Sequence, residues 1–119
     1  MAIHTVEVKT LISRATRTSA PSAGDWIPVE DYIEALLTLN VYAYTGSGNI
    51  VATIQGTDSN NSPDATGDIY NLPSATITLS AVGCQPFALT NFGRYIRVSI
   101  SQAAGVTSAN YAVKGIFKS

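Results

Sequence analysis

Charge is what this sequence has least of. Asp, Glu, Lys and Arg make up 13% of the chain, about half the usual share of roughly 25%. Seven Lys and Arg against eight Asp and Glu leave a formal net charge of −1, which excludes the basic field that nucleic-acid binding requires. No run approaches the roughly 18 consecutive apolar residues of a membrane-spanning helix. The first ten residues, MAIHTVEVKT, lack the basic stretch and long apolar core of a secretory signal. The expectation is a chain made and used without export. Cys84 is the single cysteine, which excludes an intrachain disulfide and a cysteine metal cage. It is expected to be a small buried hydrophobe, with an intermolecular bridge as the alternative.

Apolar residues are not scarce: 45% of the 119 residues are hydrophobic, enough for one core in one domain. A disordered chain would show the opposite bias. With so few charges, the polar surface must come from Ser, Thr, Asn, Gln and Gly, a composition that suits exposed sheet faces and turns.

Along the chain, Thr5 to Ile12 reads as a short strand or extended arm, with Val6, Val8 and Ile12 partly alternating with Glu7 and Lys9. SRATRTSAPSAGD, Ser13 to Asp25, has neither helical nor strand period. Residues 1–25 are therefore expected to form an N-terminal arm or linker, and residues 26–119 the compact domain. From Trp26 onward, period-2 runs alternate with turns. Leu37, Leu39, Val41 and Ala43 point one way, and Thr38, Asn40, Tyr42 and Tyr44 the other. Thr45-Gly46-Ser47-Gly48-Asn49 is expected to be a hairpin-type turn, followed by Ile50 to Gln55. A long loop, Gly56 to Pro73, precedes the strand Ala75 to Val82, with Ala75, Ile77, Leu79 and Ala81 inward. Pro86 to Thr90 suits an edge strand, where proline is tolerated. Arg94 to Gln102 and Asn110 to Lys118 complete the set, with Ile96, Val98 and Ile100, then Tyr111, Val113 and Phe117, inward. Only Val29 to Leu39 could also be threaded as a helix. About seven short strands with turns between them predict an all-β fold, a β-sandwich of jelly-roll or immunoglobulin-like type with an extended N-terminal arm.

Residues for chemistry are few. His4 is the only histidine, and on an arm it is badly placed to act as the general base of a nucleophilic site. Glu30, Asp31 and Glu34 are sequence neighbours, whereas a glycosidase pair must face each other across a cleft. They read as a solvated surface patch. Asp58, Asn60, Asp64 and Asp68 loosely imitate a calcium loop, but Pro63 and Ile69 stand where glycine and glutamate are required. Turn chemistry explains the same letters. No catalytic residue, metal or cofactor is expected. Tyr42 and Tyr44, together with Tyr95 and Arg97, suit contacts with a neighbouring subunit or partner, because exposed aromatics and arginine anchor interfaces. Lys9, Arg14 and Arg17 are the only local positive excess and suit a partner surface.

Three features in fixed order carry a family resemblance. An alternating strand and Gly turn lead into Ile54-Gln55-Gly56-Thr57-Asp58. Phe92-Gly93-Arg94-Tyr95-Ile96-Arg97-Val98 follows, and a Gly-containing turn then leads to a terminal strand of small and apolar residues. Over roughly Ala35 to Phe117 the chain resembles small β-sandwich virion structural proteins of tailed bacteriophages, of the head decoration, adaptor and tail types. Many of these carry a tryptophan where this chain has SNNSPDATGD (59–68). The resemblance implies a capsid decoration, or cement, protein. It would reside in the virion, bind the major capsid protein and associate with itself, most plausibly as a trimer. The arm would lie toward the shell, with neither nucleic acid nor membrane as partner. The alternative it leaves open is a tail, fibre or baseplate module that binds host carbohydrate through Trp26, Tyr70 or the Asp58 to Asp68 loop.

Overall fold

A computed structural model describes residues 6–58, 68–90 and 92–119, without the side chains of Pro73 and Ser74. Eight strands account for most of the described chain: β1 (Val6–Arg17), β2 (Ile27–Pro28), β3 (Glu34–Gly46), β4 (Ile50–Thr57), β5 (Tyr70–Leu79), β6 (Gly83–Leu89), β7 (Tyr95–Gln102) and β8 (Val106–Lys118). They form two four-stranded sheets, ordered β1-β8-β3-β6 and β2-β7-β4-β5, and every pair is antiparallel. Strand 1 pairs with 8, 2 with 7, 3 with 6 and 4 with 5. That is the pairing of one long hairpin rolled onto itself, the jelly roll, and of the two expected sandwiches it excludes the immunoglobulin type.

Every connection except β4 to β5 therefore changes sheet. The segment Thr45 to Asn49, expected to close a hairpin, is instead a corner between sheets. Gly46 and Gly48 there have φ of 110° and 119°, values that favour glycine. The β7–β8 corner lies against it: Ser47 N–H donates to the Gly105 carbonyl at 2.9 Å, and Ala103 N–H to that of Asn49 at 3.0 Å.

The core lies between the sheets and follows the predicted alternation. Leu37 and Leu39 (β3), Ile54 (β4), Ile96 and Val98 (β7), and Tyr111, Val113 and Phe117 (β8) are fully buried. Each contributes about 1.5–3 kcal/mol on leaving water. The edge prediction for Pro86 holds, because β6 ends its sheet.

Departures from the sequence reading occur where strands bulge or end. An irregularity between Val41 and Ala43 inserts one residue and reverses the phase of β3. Ala43 is thereby exposed, and Tyr44 turns inward to pack against the core and donates its hydroxyl to the Gly48 carbonyl at 2.6 Å. The expected loop 56–73 is shorter, since β4 runs to Thr57 and β5 starts at Tyr70. Pro73 falls in the register shift of β5, an edge strand, where its missing N–H costs no ladder bond. Ala81 lies beyond the strand and is exposed.

The largest correction concerns the N-terminus. Residues 6–17, expected to stand outside the domain, form the edge strand β1, paired with β8 from Val6–Lys118 to Arg17–Ala109. Shifts on both sides of Ile12 allow the consecutive Leu11 and Ile12 both to enter the core, each 5% exposed. Residues 18–26 then cross to the second sheet without strand structure.

Candidate interaction surfaces

Residues directly opposite in an antiparallel pair project from the same face, so the register defines each outward surface. On the β1-β8-β3-β6 sheet, Val8 pairs with Ile116, Ile116 with Leu36, and Leu36 with Ala88. The row crosses all four strands and faces solvent: Val8 is 70%, Leu36 41% and Ile116 38% exposed. Glu34 and Lys118 are opposite each other in the row on one side, and Thr38 and Lys114 in the row on the other. A shallow groove over Val8, Ile116 and Leu36 extends past Lys114 to Cys84. Cys84 is exposed, contrary to the buried expectation, because it shares the outward row of Asn40 rather than the inward row of Leu39.

The first charges of β1, Glu7 and Lys9, lie on its inward side. Glu7 is opposite buried Phe117, and Lys9 is opposite Gly115. The two charges pair at 3.2 Å, and Lys9 lies 5.8 Å from the Tyr32 ring, which itself meets Phe117 at 5.5 Å. Hydrogen bonding from the Tyr32 hydroxyl, then Lys9, holds the Glu7 carboxyl below its ordinary range. Inward-pointing charge on an edge strand discourages a further strand from adding there.

The other predicted cations are engaged within the chain. Arg14 stacks on Tyr42 at 3.8 Å and donates to Asn110 Oδ1 at 3.1 Å. Arg17 donates to the carbonyls of Tyr111 at 2.9 Å and Ser13 at 2.6 Å, and its guanidinium lies 4.8 Å from the Tyr111 ring. Burial nevertheless pushes the Tyr111 phenol above its ordinary value, with Arg17 opposing. Lys9, Arg14 and Arg17 thus hold β1 to the domain, and Tyr42 joins Arg14 without Tyr44.

On the β2-β7-β4-β5 sheet the outward residues of the central strands are mostly polar, with Val51 an exception. Arg97 donates to Gln55 Oε1 at 2.8 Å, Gln55 donates to Asn71 Oδ1 at 3.1 Å, and the Arg97 guanidinium lies 4.6 Å from the Trp26 ring. Ser99, Thr53 and Thr76 form the next outward row. Tyr95 is half-buried, with the Arg94 guanidinium 5.7 Å from its ring.

Near the loop end, the Tyr70 hydroxyl donates to Asp58 Oδ1 at 3.2 Å. Its ring lies so close over Gly56 that a Cβ there would be 2.8 Å from it. Burial, then the Asp58 charge, raises the Tyr70 phenol. Arg94 pairs with Glu30 at 3.3 Å, and Glu30, Asp31 and Glu34 are all exposed. His4, and Asn60 and Asp64 of the loose calcium pattern, lie outside the described residues. Among the described residues no three His, Cys, Asp or Glu are grouped to hold a metal.

Sequence reasoning missed the apolar row. Leu36 and Ile116 belong to runs in which neighbouring positions are also apolar, and Val8 alternates with Glu7 and Lys9 as an inward residue would, so the outward members became visible only once the pairing was known.

No protein-family model matches the chain, and no curated protein matches it. Among solved structures, it is similar to the SPBc2 prophage-derived protein YomS, with a TM-score of 0.61 and 19% identity over 100% of this chain and 97% of that one. A chain from Bacillus endospore appendages, described as a novel family of disulfide-linked pili, aligns with a TM-score of 0.46 and 11% identity, covering 98% of this chain and 90% of that one.

Proposed function

We propose that this chain is a bacteriophage virion structural protein, a capsid decoration protein that binds and stabilises the assembled head and catalyses no reaction. The observation that carries the reading is the exposed apolar row of Val8, Ile116, Leu36 and Ala88. A flat apolar stripe across a whole sheet is a surface for packing against protein, since it offers no enclosed pocket for a small molecule. The jelly roll is an architecture used for viral shells, and the likeness to a prophage-derived protein agrees with that setting. Fold alone does not assign function; the chemistry of the surface supports the choice. The partners are the major capsid protein and further copies of this chain. Binding only the assembled shell stabilises that shell by mass action, and many repeated weak contacts add through effective concentration. Sugar recognition in a tail module is the weaker reading, because the Trp26 ring already carries Arg97 and the Tyr70 ring lies against Gly56.

Cosedimentation tests the proposal. Purified chain mixed with heads from the source phage that lack it should bind saturably and raise the temperature at which those heads disrupt. A chain that stays in the supernatant at concentrations up to about 100 μM would contradict it.

A further inference from the structure

The outward face of the β1-β8-β3-β6 sheet is also self-complementary. The middle strands are β8 and β3. Consider a two-fold axis along the strands, midway between those two, relating two copies packed face to face. Each residue of β8 then meets the residue of the partner's β3 in the same row, and β1 likewise meets β6. By the register, Ile116 meets the second copy's Leu36, and Val8 its Ala88. In the adjoining row, Lys118 meets Glu34. Because a two-fold contact is reciprocal, each of these meetings occurs twice. Such an axis sets each row on itself, so the apolar row meets apolar residues and Lys118 meets the opposite charge of Glu34, while on the other side Lys114 meets the Thr38 hydroxyl row.

We infer that this face is the self-association surface of the chain, where two copies pack sheet to sheet about a two-fold axis between β8 and β3. Four strands about 4.8 Å apart and four outward rows about 6.8 Å apart span on the order of 500 Å² per copy. Two copies would bury about 1,000 Å², the lower bound for a specific interface. Aligned sheets cross at about 30°, so the meetings hold best on the two central strands, β8 and β3, and less well at β1 and β6. The groove past Lys114 receives the outward side chains of the facing β1. Lys9, Arg14 and Arg17 take no part, consistent with their engagement within the chain. Two-fold pairing replaces the expected trimer. The inference concerns the chain alone; pairing occupies the apolar row with a second copy, so a shell would be met by the β2-β7-β4-β5 faces that the dimer leaves outward.

Light scattering after size exclusion of the full chain tests this directly. The expected result is a species of about 25 kDa, twice the 12.5 kDa chain. Leu36→Glu should raise the dissociation constant by at least about 100-fold, because each copy then buries an unpaired charge against the other, while circular dichroism keeps the β signature. A second pair of variants separates the interface from effects within one chain. Glu34→Lys and Lys118→Glu should each self-associate more weakly than wild type, yet form a mixed dimer when combined. A monomer or trimer at about 100 μM wild-type protein, a dimer unaffected by Leu36→Glu, or variants that do not pair when mixed would each overturn the inference. Head binding by a monomeric wild type would overturn it while leaving the proposed function intact.

Discussion

The backbone N–H of Gly24 donates to the Val98 carbonyl at 3.0 Å, tying the crossing between β1 and β2 to the middle of β7. A Cβ on Gly24 would lie 2.3 Å from the Leu11 carbonyl oxygen. Glycine is needed because two backbones meet there. This contact closes the sandwich where β2, only two residues long, leaves β7 uncovered.

Gly24→Ala should therefore destabilise the fold by about 2 kcal/mol, the scale of overpacking where backbone must move. Urea denaturation checks this, with the midpoint falling and the slope unchanged. A midpoint within error of wild type would show that the crossing yields freely.

Deleting residues 2–24 should unfold the chain rather than release a binding-deficient domain. The deletion removes β1, with Leu11 and Ile12 from the core and the cover over β8. Truncating either side chain alone costs about 2–5 kcal/mol, and the whole domain has only about 5–15. Retention of a cooperative thermal transition in the truncated chain would contradict the placement of β1.

At Gly115 a Cβ would stand 2.8 Å from the Phe117 ring and 3.2 Å from Leu11 Cδ1. Gly115→Ala should cost about 1–3 kcal/mol, and Phe117→Ala about 3–5. Combining Gly115→Ala with Leu11→Ala should cost less than the sum of the two, since the second change makes room for the first. Simple additivity in a double-mutant cycle would refute the contact.

Burial holds the Tyr32, Tyr70 and Tyr111 phenols above their ordinary value of 10.0. A phenol with a raised folded pKa stabilises the fold while protonated. That contribution is complete below pH 10 and lost as pH rises through the folded pKa. Glu7, held below 4.5, behaves oppositely: its contribution is present above about pH 4.5 and lost as pH falls. Tyrosinate absorbance should show a component titrating above pH 10, and Tyr111→Phe should remove part of it. All six tyrosines titrating together near 10 would contradict this.

The strands with unbroken alternation were legible in the sequence. Leu37 and Leu39, Ile96 and Val98, and Tyr111 and Val113 all face the core as their spacing predicts. Bulges hid the rest, because one extra residue reverses every side chain beyond it. Tyr44 turned inward for this reason, and Leu11 and Ile12 entered the core together against any period. Thr5 to Ile12 reads as a short strand or arm, but its place in the sheet was hidden because its valines face out while Glu7 and Lys9 face in, the inverse of an ordinary half-buried strand. The choice between jelly roll and immunoglobulin-like sandwich depended on pairings as distant as Val6 with Lys118, which no local pattern encodes. Arg14 and Arg17, expected on an arm, lie on β1, and there they are engaged by Tyr42, Asn110 and Tyr111.

The central claim is most directly tested by the copy number of this chain relative to the major capsid protein in purified source particles, measured by quantitative mass spectrometry. A shell-wide decoration protein predicts a fixed ratio corresponding to about a hundred or more copies per particle. A dozen copies or fewer, or none, would contradict it.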